Sequence, residues 1–159
     1  MITVALSATI GAPAKRVWRA LTDSDERIAW DDRVLGKVAP SGANTPSKGE
    51  GEAEAITTQW RFRLGGIPLV MRDEVLINEP IERLVSRISI GSMHFDQTLS
   101  LHREDDESGP RTRLSIKLVT RNRIAVIGEI VERLDVQKII IEYADTTLHQ
   151  LQKHCEADA

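Results

Sequence analysis

The run "IPLVMRDEVLI", residues 67–77, places a carboxylate where a strand would carry apolar groups. In an alternating strand Ile67, Leu69, Met71, Asp73, Val75 and Ile77 share one face, while Arg72 and Glu74 share the other. A carboxylate desolvated among Leu69, Met71 and Val75 favours its neutral form. Such a group can serve as a general acid or base, or as an acceptor for a ligand hydroxyl. Asp73 is therefore the candidate catalytic residue. Two plainer readings stand beside it: a place near a strand end with access to water, or a β-bulge that turns the side chain outward.

The same sorting of faces finds three more polar residues among apolar neighbours. In "TTQWRFRL", residues 57–64, Thr58 shares a face with Trp60, Phe62 and Leu64. Ser86 lies with Leu84, Ile88 and Ile90, and Gln97 with Met93, Phe95, Leu99 and Leu101. Burying an unpaired polar group costs a few kcal/mol, so each needs a partner, a water or a ligand. Small polar groups on strands also bond locally, which is the structural alternative. Arg61, Arg63, Arg72 and Arg87 fall on the opposite face with Glu74, as a solvated cross-strand charge ladder would. A patch for phosphate or an acidic partner is the other reading.

Other chemistries find little support. His94 and His102 face outward. His149, His154 and Cys155 crowd the C-terminus at spacings that do not align them on one helix face, which disfavours zinc. There is no CxxC, HExxH or G-x-S-x-G motif, and "LGGIP" lacks the lysine of a phosphate loop. No metal and no cofactor is expected.

The bulk properties narrow the class. A chain of 159 residues suits one domain, 1–159, able to bury a core without disulfides or metal. The net charge of −3 is small and the signs are interspersed, which does not point to nucleic acid. The single cysteine fits a reducing, cytoplasmic compartment. The apolar run at "KIIIEY" is far too short for membrane insertion.

The elements that must position these residues follow from the patterning. "ITVALSATI" alternates strictly and predicts a strand over residues 2–10. Pro13 suits a helix start, and Ala14, Val17, Trp18 and Leu21 recur at helical spacing. Asp23 or Ser24 can cap a second short helix reaching Trp30. A loop rich in Gly, Pro and Ser follows, then strands over about 52–64, 67–77, 84–90, 93–101 and 113–120. From Asn122, a plausible N-cap, to Glu156, helical spacing of Ile127, Ile130, Val131, Leu134, Ile141, Leu148 and Leu151 predicts one long helix with Gly128 early in it. Such a helix of about 30 residues would measure about 45 Å. Its stripe is interrupted around Gln137 and Lys138, so packing on its own sheet explains it better than a coiled coil. A monomer or weak homodimer is expected. The result is an α+β architecture in the order β-α-α-β6-α, an antiparallel sheet with helices on one face.

This order, with "APAKRVWRALTD" and then "IAW", resembles the START-like or Bet v 1-like (SRPBCC) superfamily, in its polyketide cyclase/dehydrase-like branch. The resemblance implies a helix-grip fold, a curved antiparallel sheet wrapped around the long C-terminal helix. It also implies a cavity between the two for an apolar or amphipathic ligand such as a lipid, polyketide, quinone or isoprenoid. Trp60, Phe62, Met71, Phe95 and Leu99 would then form the sheet wall, and Ile127, Val131, Leu134 and Ile141 the helix wall. Thr58, Asp73, Ser86 and Gln97 would set orientation. Trp18 is expected in the core, and Trp30 either in the core or at the edge of the site. Two alternatives remain open: a polyketide cyclase/aromatase or dehydratase-type enzyme, and an Hsp90-activator-like interaction module using the outer sheet face. Cyclases of the superfamily often carry arginine and tyrosine in the pocket, whereas here the sheet arginines point out and the lone tyrosine, Tyr143, is helical.

Overall fold

The computed structural model describes residues 1–38, 56–64, 66–121, 124–127 and 130–157. Strand β1 (Ile2–Ile10) leads into helix α1 (Ala14–Thr22) and helix α2 (Ser24–Trp30). Then come β2 (Val34–Lys37), β3 (Ile56–Leu64), β4 (Ile67–Glu79), β5 (Arg83–Ile90), β6 (Met93–Arg103) and β7 (Thr112–Thr120). A hairpin of β8 (Ile124–Ile127) and β9 (Ile130–Asp135) precedes the terminal helix α3 (Val136–Ala157). This is the α+β, helix-grip-like arrangement expected, with β2 supplying a short strand that the patterning did not show.

Seven strands form one antiparallel sheet in the order β1-β7-β6-β5-β4-β3-β2. Each sequential pair from β2 to β7 is a neighbour, and β1 closes the far edge against β7. The alternation of β7, with Thr112, Leu114, Ile116, Leu118 and Thr120 buried, shows how period-2 patterning turns one face to the core. The helices cover that face: α3 packs on β1 and β7, and α1 leans on α2 and α3. Tyr143 of α3 wedges between Phe62 and Phe95, with ring centroids 6.3 and 5.2 Å away. These tilted and edge-to-face contacts each add about 0.5–1.5 kcal/mol beyond burial.

The corner between α1 and α2 is built by one residue. Asp23 ends α1, and its carboxylate accepts from the N–H groups of Asp25 (2.9 Å) and Glu26 (3.3 Å), capping α2. A cap of this kind contributes about 1 kcal/mol. Val17 and Ala20 of α1 are buried, while Trp18 is half-buried against the core's edge. Trp30 ends α2 inside the core, its indole N–H donating to the Ala20 carbonyl at 2.8 Å. That bond locks the two helices into one corner piece.

Three expectations are corrected. The terminal helix starts at Val136 and has 22 residues, about 33 Å rather than 45 Å. The preceding "IAVI" and "IVERLD" pair as strands, because β-branched residues suit a pleated ladder and short apolar runs do not separate helix from strand. Ile127, Val131 and Leu134 therefore lie on the β8–β9 hairpin and not on a helix wall. Asn122 and Gly128 fall outside the described residues. Ile141 is 42% exposed, because the buried stripe of α3 runs through Val136, Ile140, Tyr143, Ala144, Leu148 and Leu151. Ile77 is also exposed, since the β4–β5 register slips between Val75 and Ile77. One extra residue there turns every later side chain over. The slip comes after Asp73, which keeps its inward direction.

Candidate functional site

Where the α1–α2 corner crosses β3, β4 and β5, side chains leave a cavity of about 250 Å³. The helices contribute Leu21, Asp23 and Arg27; the sheet contributes Thr58, Trp60, Asp73, Val75 and Ser86. Lys37 of β2 stands at the exposed rim, its ammonium 5.9 Å from the Trp60 ring centroid. The lining thus mixes apolar side chains with both signs of charge.

Asp73 sits on β4 opposite Thr58 of β3 and diagonal to Ser86 of β5. Its Oδ1 is inaccessible to water and has no hydrogen-bond partner. Burial pushes the Asp73 carboxyl above its ordinary value, while the Arg27 charge and the Ser86 hydroxyl pull the other way. Burial wins, and the neutral form gains ground. A buried polar atom without a partner costs about 1–3 kcal/mol, so the position is not explained by stability alone.

Arg27 faces Asp73 from α2. Its Nε donates to Asp31 at 2.9 Å, and its guanidinium lies 5.2 Å from the Trp30 ring centroid and 5.7 Å from that of Trp60. Asp31, with no exposed surface, is gripped on its other side by Arg33, whose Nε and Nη2 reach the two carboxylate oxygens at 2.8 and 3.0 Å. Arg33 continues to α3, donating to the Tyr143 carbonyl at 3.3 Å and to the Thr147 hydroxyl at 3.0 Å. Burial alone would raise Asp31, but the Arg27 charge and the Arg33 bonds outweigh it and hold the carboxyl below its ordinary value. Asp31 therefore remains an anion and fixes Arg27 in position.

The site residues expected from the sequence separate into three groups. Thr58, Trp60, Asp73 and Ser86 line the cavity. Trp30 lies behind it, in the core but against Arg27. Phe62, Met71, Phe95, Gln97 and Leu99 are buried away from it, in the layer that α3 fills. Tyr143 occupies the space between Phe62 and Phe95 where a ligand beneath α3 was expected. The cavity thus sits under the α1–α2 corner, and no α3 residue lines it. Patterning missed Arg27, Asp31, Arg33 and Lys37. A usable signal was present in "RIAWDDR": Arg27 and Asp31 are four apart on a helix, with Trp30 between them. Arg27 also supplies the pocket arginine that the sheet does not, from a helix.

Elsewhere, among the described residues, no group of three His, Cys, Asp or Glu side chains could hold a metal ion, and no helix is long and apolar enough to cross a membrane. Arg61, Arg63 and Arg72 are exposed on the outer face, and Arg87 pairs with Asp96 at 3.1 Å.

Residues 1–156 match the model of the family described as polyketide cyclase/dehydrase and lipid transport. The chain belongs to this family, within the START-like (SRPBCC) superfamily. No curated protein sequence matches it. Among solved structures it is similar to a START superfamily protein from Mycobacterium smegmatis, with TM-score 0.70, 14% identity and 99% of each chain covered. It is also similar to the ZhuI aromatase/cyclase from Streptomyces sp. R1128, with TM-score 0.64 and 15% identity, covering 98% of this chain and 93% of that one. A protein from Thermus thermophilus matches with TM-score 0.67 and 19% identity over 99% of each chain. At these identities the likeness defines the fold alone.

Proposed function

We propose that the protein binds a small hydrophobic or amphipathic molecule, of the lipid, polyketide, quinone or isoprenoid class, in the cavity under the α1–α2 corner. The observation that carries this reading is the carboxyl of Asp73, one of its oxygens without a hydrogen-bond partner, among the residues that line an otherwise part-apolar cavity. A convergent polar group in an apolar hollow is the usual form of a ligand site. The family is consistent with it. At about 250 Å³ the cavity is smaller than the roughly 300–1,000 Å³ of drug-sized sites, so it suits a small ligand or one end of a longer one. A cytoplasmic location and a monomeric or weakly dimeric state belong to the same reading and rest on the sequence alone.

The test is native mass spectrometry of the purified protein, alone and with added apolar ligands. The expected result is a bound mass that disappears when Trp60→Ala opens the cavity wall. Absence of any bound species across such a panel overturns the reading.

A second reading, a cyclase or dehydratase, is favoured by Arg27 facing Asp73. A carboxyl pushed toward its neutral form can move a proton, and a guanidinium beside it can stabilise a developing enolate. For this reading, Asp73→Asn abolishes turnover while leaving ligand mass binding in place. Undiminished turnover in that variant removes Asp73 from the chemistry.

A further inference from the structure

We infer that the ligand of this cavity is a short amphipathic hydroxy acid, its carboxylate held by Arg27 and Lys37 and its hydroxyl by Asp73. The inference rests on the binding reading above and specifies the chemistry of that site.

The cationic end is built in advance. Asp31 takes the Nε of Arg27, and the rings of Trp30 and Trp60 flank the guanidinium. Among the described residues, the two terminal amino groups of Arg27 make no hydrogen bond. A guanidinium fixed at one edge and open at the other has the fork geometry that receives a carboxylate through two parallel bonds. Lys37 adds a second cation above Trp60 at the rim. Of the two carboxylates among the described residues that line the cavity with them, Asp23 is already engaged in capping α2.

That leaves Asp73. It feels the charge of Arg27, yet the two form no ion pair, and Oδ1 stays unpartnered. An ammonium ligand could meet the Asp73 carboxyl only by entering beside two cations. A hydroxyl satisfies it without that repulsion, accepting or donating according to the state of the carboxyl. Burial, which favours the neutral carboxyl, also relieves repulsion against a ligand carboxylate nearby. Leu21, Val75 and Leu84 offer apolar wall for a short chain only, given the volume.

The experiment titrates the intact protein with octanoate, β-hydroxyoctanoate, octanol and octylamine, following tryptophan fluorescence, since Trp30 and Trp60 flank Arg27. The expected order is hydroxy acid, then acid, then alcohol, then amine. Each step is about tenfold in Kd, the size of one charged or well-placed hydrogen bond. Lys37→Gln, at an exposed position, and Arg27→Gln each reduce the acid-over-alcohol preference. Asp73→Val removes the preference for the hydroxylated acid and spares that for acid over alcohol. Equal affinity for octanol and octanoate, or tightest binding of octylamine, overturns the inference and leaves the cavity a ligand site. No response to any of the four, with no bound mass in the native spectra, overturns the inference and the binding reading together.

Discussion

Asp31 and Asp73 are two inward-facing aspartates, the first fully and the second partly buried, that share one neighbour, Arg27, and they are treated in opposite ways. At the α2–β2 junction Asp31 receives Arg27 on one side and Arg33 on the other, and its carboxyl is held below its ordinary value. On β4, Asp73 receives no ion pair, keeps one oxygen unpartnered, and is pushed above its ordinary value. Burial acts in the same direction on both; what differs is the compensation. Where compensation is complete, the residue is part of the scaffold. Where it is withheld, on a residue that lines a cavity, one oxygen stays unsatisfied, which is what the proposed binding site builds on. Under the proposed function, the contrast separates a scaffold carboxylate from a site carboxylate on two sides of one arginine.

The largest expected effect lies on the compensated side. Asp31→Asn takes the anion from between two largely buried guanidiniums, whose own contacts reach α3 through Arg33. Removing one partner of a buried ion pair costs about 3–5 kcal/mol, more than the pair itself contributes relative to an apolar replacement. Urea unfolding of this variant at neutral pH measures it. A loss below about 1 kcal/mol would mean that Asp31 does not organise the corner, and the comparison collapses.

The opposite sign is expected across the cavity. Asp73→Asn replaces an uncompensated carboxyl with a neutral amide of the same shape, so stability rises by about 1 kcal/mol at neutral pH. The dependence on pH has a definite direction. The folded Asp73 titrates above its ordinary value of 3.8, so between the two the native state holds a proton that the unfolded chain has released. Stability from this group is full below 3.8 and is lost as pH rises through the folded value. The advantage of Asp73→Asn over the parent therefore shrinks on acidification. Paired melts across the acid range would show this narrowing; a constant gap would mean that Asp73 is an ordinary solvated carboxylate.

How much of this was readable beforehand depends on the kind of signal. Period-2 alternation through β3 to β7 placed Thr58, Asp73, Ser86 and Gln97 on the inner face, because a strand leaves a side chain only two directions. It could not say which inward residues meet a cavity and which meet a helix. That depends on where Tyr143 comes down, a matter of tertiary packing: it lands between Phe62 and Phe95 and leaves Trp60 beside open space. The run from Ile124 to Asp135 misled for a related reason. Ile127, Val131 and Leu134 recur at helical spacing, but they also belong to short β-branched runs around Gly128, and pairing decided the matter. Arg27 was hidden by type. An arginine on a short polar helix reads as solvent-facing until the aromatic rings and the anion that hold it inward are seen.

The smallest expected effect tests whether burial, and not the mere presence of two arginines, makes Asp31 strong. Glu26, on the same helix, is also gripped by two arginines, Arg16 and Arg19, each at 2.6 Å, with His154 of α3 at 3.0 Å. Its side chain keeps 17% of its surface exposed, against none for Asp31. Burial opposes ionisation, but the bonds from His154, Arg16 and Arg19 prevail and hold the carboxyl at about 2. Because the folded value lies below the ordinary 4.5, this stability is present above 4.5 and is lost as pH falls through about 2. Solvent screens such a pair, so Glu26→Gln should cost no more than about 1 kcal/mol at neutral pH, and less in high salt. Its penalty should fade as pH drops toward 2, where the parent also becomes neutral. A penalty equal to that of Asp31→Asn, unaffected by salt, would show that arginine count alone sets these energies. The α1–α2 corner would then be held as firmly from its outer side as from its core.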